Sequence, residues 1–208
     1  MVADNLKRLK DEIAETASRF NRNPDEINLL AVTKLADVDM IRRAYDSGHR
    51  DFGENYVQKI IPKMKILPAD INWHFIGHIQ KNKINKIIGK FALIHSVDSQ
   101  HIAEAMEFRA SNNDIVQDIL IEVDSSGEIQ KNGIPIDESN ELVHFITENC
   151  PHLNLLGLMT VAPFTDDRKV IASCFEKVRN LRDGLEIDGL KLPHLSMGMT
   201  NDWKIAIE

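Results

Sequence analysis

The chain has 208 residues, with 25 Lys and Arg against 32 Asp and Glu, a formal charge of −7. That acidic balance argues against a general nucleic-acid binder, which carries a basic excess, and against attachment to acidic membrane surfaces. Hydrophobic residues make up 43% and charged residues 27%, an ordinary globular mixture, and a chain of this length buries roughly 70% of its unfolded surface without needing covalent staples.

The chain opens on an amphipathic helix. Leu6, Leu9, Ile13, Ala17 and Phe20 recur at helical spacing with charge on the opposite face, and Asn23-Pro24 breaks the pattern. Seven short apolar runs follow, at 29–33, 50–52, 71–76, 92–97, 118–123, 153–161 and 192–197, each with a turn and a helical stretch behind it. Runs such as LLAVT and DILIEV are continuous rather than alternating, as parallel strands covered on both faces are. Asp37 is placed to cap the helix that Gly48 follows, Asp137 the helix after Pro135, and Thr165 the long helix that Gly184 ends.

A leading helix and seven strand–helix repeats predict an α/β fold with a parallel sheet. Periodicity leaves both an open doubly wound sheet and a (βα)8 barrel standing; the count is one strand short of the barrel. No linker, low-complexity stretch or other repeat divides residues 1–208, which are read as a single domain. Cys150 and Cys174 stand far apart and form no C-x-x-C pair, which excludes a disulfide framework and a cysteine-rich zinc site and suits a reducing compartment. No apolar run approaches the ~18 residues of a membrane span. The N-terminus, MVADNLKRLKDEIAE, lacks a signal-peptide core, so a cytoplasmic protein is expected.

In parallel α/β architectures, ligands bind at the carboxyl ends of the strands. Lys34 ends the first run, LLAVTK. Desolvation at a strand mouth would lower the amine's pKa and ready it to form a Schiff base; on position alone, a lysine reaching out to solvent is the plainer alternative. In FGENYVQ, Gly53 suits a tight turn, and Asn55 is a helix N-cap or a ligand contact, capping being the better supported. In WHFIGHIQKNK, His74 and His78 lack the glutamate and helical setting of a zinc motif, so no metal is expected. Lys81, Lys83, Lys86 and Lys90 read as the solvated face of a helix. In HLSMGMTND, Ser196, Gly198, Thr200 and Asn201 form either a plain helix cap or a phosphate cup at a helix N-terminus. In a closed barrel, Lys34 and that loop would lie two strands apart on one rim. A Schiff-base lysine beside a phosphate cup suits an aldehyde carrying a phosphate: pyridoxal 5′-phosphate, or the sugar phosphate of an aldolase.

LLAVTK, FGENYVQ, WHFIGHIQKNK, GLMTV and LSMGMTND, in this order over essentially the whole chain, closely resemble the pyridoxal-phosphate-binding homeostasis protein family. The resemblance implies a (βα)8 TIM-type barrel of the alanine-racemase kind with an N-terminal helix. It implies pyridoxal 5′-phosphate held as a Schiff base on Lys34, with Asn55 near the cofactor and the segment SMGMT, with Ser196, Met199 and Thr200, helping to bind the phosphate. Thr200 stands where the family has serine, so a hydroxyl is kept. Family members continue past DWKIAIE with a further strand that adds phosphate contacts and an arginine near the pyridine nitrogen. The expectation here is therefore a barrel lacking its last strand.

The function expected is that of a monomeric carrier and regulator of pyridoxal 5′-phosphate in vitamin B6 and amino-acid homeostasis, without a reaction of its own. Its expected partners are the small-molecule cofactor and cofactor-dependent enzymes, with no nucleic acid and no membrane. The alternative is a weak pyridoxal-phosphate-dependent racemase or lyase. A racemase needs acid–base groups on both faces of its substrate, and the tyrosines are only Tyr45, on a helix face, and Tyr56.

Overall fold

The computed structural model describes residues 1–126, 132–187 and 189–208. Helix α1 (Val2–Arg19) comes first, followed by β1 (Ala31–Val32), α2 (Val38–Asp46), β2 (Asp51–Glu54), α3 (Val57–Met64) and β3 (Asn72–Phe75). A 3₁₀ segment at Lys81–Lys86 leads to β4 (Leu93–Val97), α4 (Gln100–Asn112) and β5 (Gln117–Asp124). The chain goes on through β6 (Ile134–Pro135), α5 (Ser139–Asn149), β7 (Leu153–Met159), α6 (Arg168–Ile187), β8 (His194–Ser196) and α7 (Trp203–Ile207).

The strands pair in parallel in the order β1-β2-β3-β4-β5-β7-β8, with the short β6 attached to the end of β5. Strands β1 and β8 end this path and do not pair with each other among the described residues. The wall is thus a TIM-type barrel left open between them. The main core lies between sheet and helices, where Phe52, Phe75, Ile94, Ile119 and Ile121 are fully buried against α2 to α5. Leu93, Leu120 and Met159 are buried in a separate cluster with Leu156 and Val161. Helix α1 packs Ile13 and Ala17 against Ile207 of α7, and Arg22 Nη1 donates to the Ile207 carbonyl at 3.0 Å.

Asp37 caps α2 as its position suggests, its carboxylate accepting from the Met40 amide at 2.8 Å. Several local expectations are corrected. Asp137 does not cap α5, which begins at Ser139 with no side-chain cap; Ser139 Oγ donates to the Pro135 carbonyl instead. Helix α6 is capped by Asp167, whose carboxylate accepts from the Lys169 amide at 2.9 Å, while Thr165 accepts from the Asp167 amide in the turn before it. Gly184 does not end α6, which runs on to Ile187 because Leu185 is buried and anchors another turn. The stretch with Lys81, Lys83 and Lys86 is 3₁₀ rather than α. Ile84 within it and Ile87 just beyond its end are both buried.

Candidate functional site

Lys34 lies in the turn just after β1, at the carboxyl end of the sheet. Side chains alternate along a strand, so Leu30 and Val32 share one face, and Lys34 follows in the turn beyond them. That face is the barrel interior: a Cβ on Gly53 of β2 would lie 3.0 Å from Leu30 Cδ2 and 3.2 Å from Ile76 Cδ1. Gly53 is therefore a strand residue where a side chain has no room, not the turn residue its sequence suggests, and β2 runs through it to Glu54. The desolvation expected around Lys34 is missing. Val32 is 50% exposed and Lys34 is exposed, because β1 has a strand neighbour on one side only.

Asn55 is not a helix cap. Helix α3 begins at Val57 after Tyr56. The acceptor for this turn is Glu54, fully buried, whose Oε1 takes the amides of Asn55 at 2.9 Å and Tyr56 at 3.2 Å. Its Oε2 shares the Thr33 hydroxyl proton, at 3.4 Å, with the nearer Gly53 carbonyl at 3.2 Å, and lies 4.0 Å from Lys63 Nζ. Glu54 thus ties the end of β1 to the end of β2. Asn55 is left free to present its amide, and its Oδ1 is buried with no hydrogen-bond partner. Gly77 presses on the same residue from the next loop: a Cβ there would fall 2.1 Å from the Asn55 carbonyl oxygen. A side chain at 77 is excluded by that contact, which holds the backbone at Asn55 close under the Gly77 turn.

Across the barrel, Ser196 ends β8 and begins the SMGMT loop. Gly198 has φ +86°, a left-handed conformation, and its α-carbon faces Trp203 and Ala206 too closely for a side chain. Buried Asp202 folds the loop by accepting from the Met199 amide. Met199 and Thr200 are exposed. The helix behind the loop, α7, has only five residues, so the loop's own hydroxyls, rather than a long helix dipole, are its polar equipment.

Two hydrogen bonds and one longer electrostatic contact, which sequence reading missed, cross the barrel below this loop. Ser196 Oγ lies 2.8 Å from His95 Nδ1, His95 Nε2 lies 2.9 Å from His74 Nδ1, and His74 Nε2 lies 3.6 Å from Asp51 Oδ1. The signal for them was the period-two placement of His74 and His95 on interior faces, which only a known sheet order turns into contact. Burial drives His95 down to about 3, helped by His74 and His194. His74 is also lowered by burial, against the pull of Asp51. Both rings are therefore neutral at neutral pH. Glu122, buried on β5, is pushed up to about 7 by burial and then by Asp98.

His78 faces Asp98 at 3.3 Å, away from the His74 chain. No group of three or more His, Cys, Asp or Glu side chains is placed to hold a metal among the described residues. Tyr45 donates to Asp70 at 2.6 Å with Arg50 stacked on its ring, on the outside of the barrel. Tyr56 is half exposed at the rim. No helix among the described residues is long and apolar enough to cross a membrane.

This open parallel barrel is matched over residues 5–204 by the family model of the alanine racemase N-terminal domain. The chain belongs to that family and, within it, to the pyridoxal phosphate homeostasis proteins. It is 39% identical to the pyridoxal phosphate homeostasis protein of Aquifex aeolicus, over 99% of this chain and 90% of that protein. PipY of Synechococcus elongatus, solved with PLP bound, superposes with a TM-score of 0.79 at 32% identity, covering 94% of this chain and 92% of that one. An alanine racemase of Clostridium difficile shares the fold, with a TM-score of 0.77 at 13% identity over 98% of this chain and 52% of the racemase.

Proposed function

We propose that this chain binds pyridoxal 5′-phosphate as a Schiff base on Lys34 and acts as a carrier and regulator of the cofactor in vitamin B6 and amino-acid homeostasis. Residues 1–208 form its single binding domain, which works as a cytoplasmic monomer. The observation that carries this reading is the pairing at one rim of Lys34 with Asn55, whose buried Oδ1 has no partner. An acceptor of that kind is costly to leave unpaired, and the cofactor's ring hydroxyl is the type of donor it lacks.

The residues present fit the cofactor. It supplies an aldehyde that a primary amine can attack and an electron-withdrawing ring. Lys34, free of ion pairs among the described residues, supplies the amine. Asn55, whose backbone is held by Glu54 and Gly77, orients the ring through its buried Oδ1. Ser196 and Thr200 offer hydroxyls to the phosphate, and Met199, half exposed beside them, offers an apolar edge. Relatives named for pyridoxal phosphate homeostasis, and PipY solved with PLP, support the assignment.

The test is borohydride reduction of protein incubated with pyridoxal 5′-phosphate, followed by peptide mapping. The pyridoxyl adduct is expected on Lys34, and Lys34→Ala is expected to abolish it and the visible absorption band. An adduct mainly on Lys81 or Lys83 would refute the assignment.

A further inference from the structure

The Asp51–His74–His95–Ser196 chain has a direction that follows from its charge, donors and acceptors. Asp51 is a carboxylate that only accepts, here from Asn72 Nδ2 at 3.0 Å. The negative charge of Asp51, 3.6 Å away and beyond hydrogen-bond reach, favours the Nε2–H tautomer of a neutral His74, which turns a positive N–H rather than a lone pair toward it. That leaves His74 Nδ1 as an acceptor, so His95 must donate from Nε2 across the 2.9 Å contact. His95, kept neutral by burial, then has a bare Nδ1, which accepts the Ser196 hydroxyl proton at 2.8 Å. In this state Ser196 turns its proton inward and offers only lone pairs to the rim, the wrong polarity for an anion.

One added proton reverses the chain. With His74 protonated on both nitrogens, Nδ1–H donates to His95 Nε2. The His95 proton then resides on Nδ1 and donates to Ser196 Oγ, and the hydroxyl proton is free to point outward. The inward arrangement holds one proton on His74, one on His95 and one on Ser196; the outward arrangement holds one more, on His74. The titratable and charged groups facing His74 are Asp51 on β2, His95 on β4 and His194 on β8. Asp51 favours the added charge, while burial and His194 oppose it. His74 is therefore poised to take a proton when something at Ser196 rewards the outward hydroxyl.

We propose that His95 and His74 are positioning residues that aim the Ser196 hydroxyl, and that anion binding at the SMGMT loop is coupled to uptake of one proton by His74. This rests on the reading that the loop receives a phosphate group. An anion accepting from Ser196 stabilises the protonated chain, so affinity falls as pH rises through the window between the midpoints of free and liganded His74. A one-proton linkage gives a slope of up to about tenfold in affinity per pH unit.

The experiment uses sulfate, a tetrahedral dianion whose own charge does not change between about pH 6 and 8.5, the range in which histidines titrate. Binding to the full chain is followed through the histidine ring resonances by NMR. Expected are a falling affinity with pH, a His74 signal that moves to its protonated position on saturation at fixed pH, and loss of the pH slope in His74→Gln. Asp51→Asn, at the exposed end of the chain, is expected to shift the window to lower pH and serves if His74→Gln does not fold. Sulfate affinity that is weakened by Ser196→Ala yet flat with pH, or a slope that survives His74→Gln, would overturn the proton coupling and leave the phosphate-loop reading intact. Affinity indifferent to Ser196→Ala would overturn both.

Discussion

Replacing Glu54 by Gln removes one charge from the hinge between β1 and β2 while keeping the shape of the side chain. In the parent, one carboxylate oxygen accepts two backbone amides, those of Asn55 and Tyr56, and the other shares the Thr33 hydroxyl with the Gly53 carbonyl and faces Lys63. A hydrogen bond to a charged group contributes about 1.5–3 kcal/mol against about 0.5–1.5 for a neutral one, so each amide bond weakens by about 1 kcal/mol. The Thr33 contact is long and adds less, and the new amide group points its hydrogens at the Lys63 ammonium. The total is about 2–3 kcal/mol, which for a chain of this size lowers the melting temperature by about 5–10 °C. Calorimetry or a circular-dichroism melt of Glu54→Gln measures it. The same variant should bind pyridoxal 5′-phosphate more weakly while still forming its adduct on Lys34, because the loss falls on the Asn55 turn and not on the amine. A melting temperature within about 1 °C of the parent would show that the carboxylate is not what holds this rim together.

Glu122, pushed up to about 7 from an ordinary 4.5, keeps a proton in the folded state that the unfolded chain releases. Stability therefore falls as pH rises from 4.5 towards 7 and is flat above, a loss of about 3 kcal/mol at most. Urea unfolding should accordingly show Glu122→Gln more stable than the parent at pH 8 and nearly level with it near the ordinary carboxyl value; an equal difference at both would contradict the burial argument. Gly77→Ala forces a methyl group against the Asn55 carbonyl at 2.1 Å, and should cost about 1–3 kcal/mol of stability together with a marked loss of cofactor affinity; unchanged affinity would detach Asn55 from the site. Thr200→Ala removes one hydroxyl from the loop, and pyridoxal 5′-phosphate affinity should fall by roughly 10- to 150-fold while unphosphorylated pyridoxal is little affected. Equal losses for both ligands would show that the loop does not read phosphate.

The alternation of strand and helix was legible in the sequence because continuous apolar runs such as DILIEV and capped amphipathic stretches such as VDMIRRAY differ in period and composition. The rule that ligands meet parallel strands at their carboxyl ends directed attention to Lys34, Asn55 and Ser196, which all follow or end strands of the sheet. What escaped was set by neighbours distant in sequence. Glu54 took over the turn that Asn55 was expected to cap, because a buried carboxylate accepts amides more strongly than a side-chain amide does. Gly53 looked like a turn residue because local pattern cannot tell a glycine needed for its backbone from one needed for its missing side chain. Gly184 failed as a stop signal because Leu185 beyond it is buried. The histidine chain depends on residues 21 and 101 positions apart in sequence, a juxtaposition that only the strand order creates.

The two cysteines are buried in different layers of the molecule. Cys150, 2% exposed where α5 meets β7, has its thiol pushed up to about 11 by burial and then by Glu107 and Glu104. Cys174, 4% exposed on α6, donates its S–H to the Ser125 carbonyl at 3.6 Å and packs with Ala162, Ile171 and Phe175, next to Met197 of the SMGMT loop. Since a thiolate is the reactive species and must reach its reagent, neither sulfur can be alkylated until its surroundings part. The molecule thus carries two built-in clocks for local opening. The labelling rate at Cys174 times excursions of the rim, and the rate at Cys150 times those of the helical shell, so a ligand seated on the rim should slow the first clock and leave the second running.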